Sequence, residues 1–216
     1  MIYNFDEHDS IANRYISELR DVNIQKDRMR FRRNLARLAW AMAFEISKTF
    51  PYEKKEIETQ LGIANCRLNS SRIVLASILR AGMPFHQGFL EVFDWADNAF
   101  VSAYRMHHKD GTFEIKLEYV SCPNLDDCIL IIADPMLATG ASMDLSIKAL
   151  TEYGSPSEIH LATAIASASG FNYIKRLHPK IHIWTGAIDD ELTAKSYIVP
   201  GLGDAGDLSY GGKVQD

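Results

Sequence analysis

Four short apolar runs, separated by segments of helical length, constrain this chain more than any other feature. Residues 73–79 read Ile-Val-Leu-Ala-Ser-Ile-Leu and residues 128–133 read Cys-Ile-Leu-Ile-Ile-Ala, with further runs at 159–166 and 181–186. Unbroken apolar character over so few residues suits a strand covered on both faces. The stretches between them predict helices over 84–93, 142–153 and 171–178, the second stopping at Gly154. Strands alternating with helices in this way give an α/β fold, a central, mostly parallel sheet flanked by helices and wound by right-handed crossovers.

Two segments depart from that alternation. Phe113, Ile115, Leu117 and Tyr119 alternate with Thr112, Glu114, Lys116 and Glu118, which predicts a strand with one covered face. With 99–105 as its partner and Lys109-Asp110-Gly111 as the turn, this reads as an inserted β-hairpin over 99–121. At the other end, Phe31, Leu35, Leu38, Ala39, Met42 and Ile46 recur at helical steps over 28–50, ahead of Pro51, and a shorter helix over 9–20 starts from Asp9 or Ser10. Residues 1–60 are therefore read as a helical N-terminal arm.

A chain of 216 residues, 47% of them hydrophobic, fits one domain that buries its own core. Against 28 acidic residues stand 23 basic ones, a formal charge of −5 that disfavours broad binding to nucleic acid or an anionic membrane. Arg28, Arg30, Arg32, Arg33 and Arg37 make one basic stretch, read as a solvated helix face. No apolar run approaches the ~18 residues of a membrane span. Three cysteines at unpatterned spacing and a start without a secretory pattern give the expectation of reduced thiols in a cytoplasmic protein. His178 and His182 are separated by Pro179, which spoils a helical metal pair.

The chemistry concentrates where the second apolar run ends. Ile131-Ile132-Ala133 leads into Asp134, then a turn of small residues, then a helix. Ligands of open α/β sheets bind at such strand ends, and a helix N-terminus with its preceding turn offers N–H groups to an anion. The Gly and Lys spacing of a nucleotide-triphosphate loop is missing. On pattern alone the stretch also reads as an ordinary capped helix after a turn.

Asp134-Pro135-Met136-Leu137-Ala138-Thr139-Gly140 resembles the phosphoribosyl pyrophosphate (PRPP) loop of uracil phosphoribosyltransferases, the branch of the type I phosphoribosyltransferases with Asp-Pro at the loop's start. Tyr197-Ile198-Val199-Pro200-Gly201-Leu202-Gly203-Asp204-Ala205-Gly206-Asp207 is similar to that family's uracil-recognition segment, here 190–212. Ile78-Leu79-Arg80-Ala81-Gly82 is like its pyrophosphate loop, and Tyr104-Arg105 matches on the hairpin. Leu19-Arg20-Asp21 and Phe31-Arg32 fit more loosely. The chain departs from the family at Leu208, where Arg is usual, at Tyr210 for Phe, at Ala168-Ser169 for Pro-Glu and at Ala141 for Gly.

The resemblance implies transfer of a phosphoribosyl group from PRPP to uracil, giving UMP and pyrophosphate in pyrimidine salvage. It places the 5′-phosphate on Ala138, Thr139, Gly140, Ala141 and Ser142, with Pro135, Met136 and Leu137 completing the loop, and ribose hydroxyls on Asp134. Arg80 and Arg105 would meet the pyrophosphate, the hairpin acting as a hood, and the Arg80–Ala81 peptide would be cis. Asp204 would face magnesium carried by PRPP rather than by a protein metal site. Arg80, Arg105 and Asp204 are thereby the expected catalytic residues. Uracil would be read by the backbone of Ile198, Gly203, Asp204 and Ala205. The family also implies a homodimer or larger assembly and, in some members, GTP as an effector. A phosphoribosyltransferase for another base, or a regulator sensing PRPP or UMP on the same fold, are the alternatives.

Overall fold

The four apolar runs form the strands expected of them. The computed structural model describes residues 1–107 and 113–212, with side chains described outside 103–116. In chain order the elements are β1 (Ile2–Asn4), α1 (Ile11–Arg20), α2 (Arg28–Ser47), β2 (Glu53–Thr59), β3 (Gly62–Leu68), β4 (Ile73–Leu79), α3 (Gly82–Leu90), β5 (Asp97–His107) and β6 (Phe113–Ser121). There follow β7 (Ile129–Ala133), β8 (Met136–Leu137), α4 (Ala141–Thr151), β9 (Glu158–Ser167), α5 (Ala168–Leu177), β10 (His182–Asp189), β11 (Glu191–Leu192), β12 (Ile198–Val199) and α6 (Ala205–Tyr210). The main sheet runs β1-β10-β9-β7-β4-β5-β6, with β8 paired to β9. Its pairings are parallel except β5–β6, the antiparallel hairpin read from the alternating sequence. The hairpin's Lys109-Asp110-Gly111 turn lies outside the described residues.

Period two explains why the strands are apolar throughout. Ile73, Leu75, Ile129 and Ile131 face a core shared with Leu35 and Met42 of α2 and Phe85 and Phe89 of α3. Val74, Ala76, Leu130 and Ile132 face the opposite core, closed by Met143, Ile147 and Leu150 of α4 and Ile174 of α5. Each fully buried aliphatic side chain of this size is worth about 1.5–3 kcal/mol relative to exposure.

The basic stretch has a structural use. Glu18, almost fully buried on α1, accepts from Arg14 at 2.6 Å, from Arg30 at 2.8 Å and from Asn34 at 2.8 Å. These hydrogen bonds, Arg30's foremost, hold the Glu18 carboxyl down at about 2. One carboxylate so ties α1 to α2.

The N-terminal arm is not wholly helical. Residues 2–4 add an edge strand parallel to β10, and 53–68 form the β2–β3 hairpin. Both escape a periodicity reading for a physical reason. Every residue of β2 is exposed, so no apolar face marks it, and three residues are too few to show a period. α2 ends at Ser47, three residues short of the sequence limit. Among the described residues, no helix is long and apolar enough to cross a membrane.

Candidate active site

The strand order creates the site. From β4 the chain leaves through α3 to β5 on one side, then returns to place β7 on the other side of β4 and continues to β9 and β10. β4 and β7 are therefore neighbours whose following loops diverge, and the crevice at their carboxyl ends is the switch point of the sheet. The loop after β4 carries Arg80, and the loop after β7 carries Asp134. The two loops touch: a Cβ on Gly82 would come within 2.8 Å of the Ala133 carbonyl oxygen and 2.8 Å of Ser77 Oγ. Only glycine allows that approach. A non-proline cis peptide lies at Leu79–Arg80, one bond before the position the resemblance gave, and a second cis bond precedes Pro200.

The 134–142 loop is stitched to β9 along its length. Asp134 N–H donates to Ala162 C=O at 3.1 Å, and Pro135 C=O accepts from Ala164 and Ile165 N–H at 3.1 and 3.0 Å. Met136 and Leu137 pair with Ile165 and Ala166. Ser167 Oγ then donates to Ala138 C=O and accepts from Gly170 N–H at 2.9 Å, so one hydroxyl joins the loop to the start of α5. Ser169, at a departure from the family pattern, shares a 3.0 Å hydrogen bond with that hydroxyl.

Gly140 caps α4 with φ +83 and no side chain of its own, and the first-turn N–H groups face the loop, where Ala141 N–H donates to Thr139 Oγ1 at 3.4 Å. Its glycine is required by the neighbours behind it: a Cβ would meet Tyr173 at 2.8 Å, Gly170 C=O at 3.1 Å and Ile174 at 3.2 Å. Asp134 is half-buried, and burial pushes its carboxyl up to about 7 against the lowering effect of the Met136 N–H.

The C-terminal segment closes the crevice from the other side. Arg80 Nη2 donates to Asp207 Oδ1 at 3.1 Å and Nη1 to Gly211 C=O at 3.4 Å. Gly206 is flanked by Asp204 Oδ1 and Arg80 Nη2, which a Cβ would meet at 3.1 and 3.3 Å. Asp204 also accepts from Asp207 N–H at 2.9 Å, capping α6, a structural duty the sequence did not disclose. Arg32 donates to Ser209 C=O at 2.6 Å and lies over the Tyr210 ring. Leu208, where the family has Arg, packs against the core.

The structure thus brings Arg80 and Asp204 to one crevice with the 134–142 loop, and Ile198, Gly203 and Ala205 lie on the segment that borders it. The Arg105 side chain lies outside the described residues. Arg20, Arg32, Asp189 and Ser167 were missed or only loosely matched, because a buttress carries no motif of its own. His178 bonds Asp144 at 2.8 Å, whereas His182 rings against His160, so the two histidines form no pair. Among the described residues no cluster of three or more His, Cys, Asp or Glu suits a metal ion.

A carboxylate at a strand end, a helix start and a guanidinium lie about one switch point, an arrangement suited to a ligand that carries both hydroxyl and phosphate groups. The sequence comparisons go further. The family model described as uracil phosphoribosyltransferase matches residues 7–212, and the chain belongs to that family. A uracil phosphoribosyltransferase of Porphyromonas gingivalis is 52% identical over 209 residues, 96% of either chain. One from Thermococcus gammatolerans is 36% identical over 217 residues, covering 99% of this chain and 95% of its own. A solved structure of a protein from Aquifex aeolicus matches at a TM-score of 0.88 with 29% identity, covering 100% of both chains.

Proposed function

We propose that this protein transfers the phosphoribosyl group of PRPP to uracil, forming UMP and pyrophosphate. The bond from the ribose C1′ to the pyrophosphate oxygen breaks, a bond from C1′ to uracil N1 forms, and the N1 proton leaves. Positive charge develops at C1′ as pyrophosphate departs, so the protein's work is placement, leaving-group stabilisation and shielding from water. The observation that carries the reading is the meeting of the Arg80 and Asp134 loops at one switch point, bordered by the 198–211 segment.

In this reading the N–H groups of Ala138–Ser142 hold the 5′-phosphate and ionised Asp134 accepts from the ribose hydroxyls. Arg80, then Arg105 on the hairpin hood, bind pyrophosphate through paired donors. Arg80 exchanges its Asp207 and Gly211 contacts for those oxygens. Ile198 C=O accepts from uracil N3–H, and N–H groups around Gly203–Ala205 donate to O4. Mg²⁺ is a hard cation that keeps waters and takes few carboxylates alongside substrate phosphates, and Asp204, with its one backbone donor, fits that sparse role. Bound with PRPP, the ion would neutralise charge on the departing pyrophosphate.

Cytoplasmic location, a homodimer or larger assembly, and GTP as effector belong to the same proposal. The β2–β3 hairpin supports assembly, since its Ile57, Leu61 and Ile63 are exposed and two strands alone are marginal in water. Sedimentation at equilibrium tests it, and a monomer at micromolar concentration would contradict it. The activity is tested by incubating the protein with uracil and Mg-PRPP. Equimolar UMP and pyrophosphate are expected, and no UMP from folded protein would refute the reading.

A further inference from the structure

Arg20 closes α1 and Asp189 closes β10, at the carboxyl edge of the sheet. Their side chains meet as a two-pronged pair, Nη1 to Oδ2 at 2.8 Å and Nη2 to Oδ1 at 2.7 Å, with Asp189 only 6% exposed. The pair also reaches outward. Asp189 Oδ2 accepts from Gly201 N–H at 2.8 Å, and Arg20 Nη1 donates to Gly201 C=O at 3.0 Å. One ion pair therefore holds both backbone polar groups of one glycine in the segment that borders the crevice.

The consequence falls on Ile198. Gly201 has φ +56, and a Cβ there would collide with the Ile198 carbonyl oxygen, so the chain turns back tightly over 198–201. In many turns the N–H of the fourth residue donates to the first carbonyl, and here, with a cis bond before Pro200, Gly201 N–H is the group placed to do so. Here Asp189 takes it. Strand β11 does not supply a replacement. Thr193 N–H donates to Tyr197 C=O at 2.8 Å, which makes the next pair, Leu192–Ile198, a non-hydrogen-bonded position of the antiparallel ladder. The Ile198 backbone groups accordingly point away from β11, while its buried side chain fixes the residue in the core.

We propose that Arg20 and Asp189 are positioning residues for base recognition: by holding the Gly201 N–H away from Ile198, the ion pair keeps the Ile198 carbonyl available to the N3–H of the incoming base. Neither residue touches substrate. The inference rests on the uracil site described under the proposed function, so the experiment separates the two.

Asp189→Asn keeps the shape and removes the charge, and Arg20→Lys keeps the charge and removes the fork. Each should raise the uracil KM about tenfold and lower the preference for uracil over cytosine, because one buried hydrogen-bond arrangement is worth about that factor. PRPP affinity, measured by calorimetry, should stay unchanged and kcat should change much less than KM. Arg20→Ala should exceed Arg20→Lys in its effect on uracil KM. A purely structural role would lower the melting temperature and the active fraction without moving one substrate's KM or the base preference. If Asp189→Asn does not fold, Arg20→Lys carries the same test. Gly203→Ala is the companion, because it strains the same segment at φ +97 without touching the pair. Uracil KM altered in Gly203→Ala but unchanged in folded Asp189→Asn and Arg20→Lys would overturn the inference and leave the uracil site standing. No change in any of the three would overturn both.

Discussion

Asp134→Asn should make the protein more stable and less active, with a pH signature that identifies the cause. The Asp134 carboxyl sits at about 7 in the folded protein against an ordinary 3.8, with burial as the dominant cause. Between those two values the folded state binds more protons than the unfolded one. Stability is therefore lost as pH rises through the window, and the loss is complete above about pH 7. At about 1.36 kcal/mol per pH unit, the carboxylate costs at most roughly 2 kcal/mol at pH 5 and roughly 4 kcal/mol at pH 8. Asparagine has the same shape and no titration, so the variant's advantage should grow by up to roughly 2–3 kcal/mol between these pH values. The assay is urea denaturation of both proteins at pH 5 and pH 8, alongside PRPP calorimetry. PRPP affinity of the wild type should rise with pH through 7, as the acceptor ionises, and the variant should lose that dependence. A variant less stable than wild type at pH 8, or an equal difference at both pH values, would refute the reasoning. The combination expected, stability gained and binding lost, is that of a strained functional group.

Other perturbations separate the buttress from the chemistry. Gly170→Val drives a side chain into the Ala138 carbonyl, so PRPP affinity should fall along with the melting temperature; unchanged affinity would show that α5 does not shape the loop. Asp204→Asn keeps an acceptor for the Asp207 N–H, so catalytic efficiency should drop at little change in melting temperature, whereas Asp204→Ala should lose about 1 kcal/mol of helix capping as well. A normal turnover number and magnesium dependence in Asp204→Asn would remove that carboxylate from the mechanism. Arg105→Ala should reduce turnover far more than stability, and equal kinetics would make Arg105 a surface residue.

What the sequence discloses and what it hides follow a physical division. β4, β7, β9 and β10 are legible because both faces are buried, so every position is apolar. The Asp134 loop and the 197–207 segment are legible because each holds a long run of particular residues in fixed order, the pattern that carries the family resemblance. Arg20 and Asp189 are 169 positions apart, and nothing local marks them as a pair. Ser167 looks like any serine until its hydroxyl is seen to join Ala138 to α5. The packing behind Gly140, against Gly170, Tyr173 and Ile174, exists only once α5 is in place. Arg28, Arg30, Arg33 and Arg37 of α2 are exposed, as the sequence reads, but the partners of Arg30 and Arg32, Glu18 and Ser209, come from other elements and leave no local mark.

Joining of a phosphoribosyl group to a base read by backbone groups, the reaction proposed for this crevice, is tested most directly by one comparison. Catalytic efficiency is measured with uracil, 5-fluorouracil and cytosine at saturating Mg-PRPP. Cytosine opposes a donor to the N–H groups at O4 and an acceptor to the Ile198 carbonyl, and backbone groups cannot rotate to relieve the mismatch. Sites built on such hydrogen bonds discriminate by about 10⁴-fold. Uracil should be converted to UMP, 5-fluorouracil should be turned over because it keeps the same edge, and cytosine should trail by roughly that factor. Cytosine within about tenfold of uracil, less than one mismatched buried hydrogen bond should cost, would contradict the account.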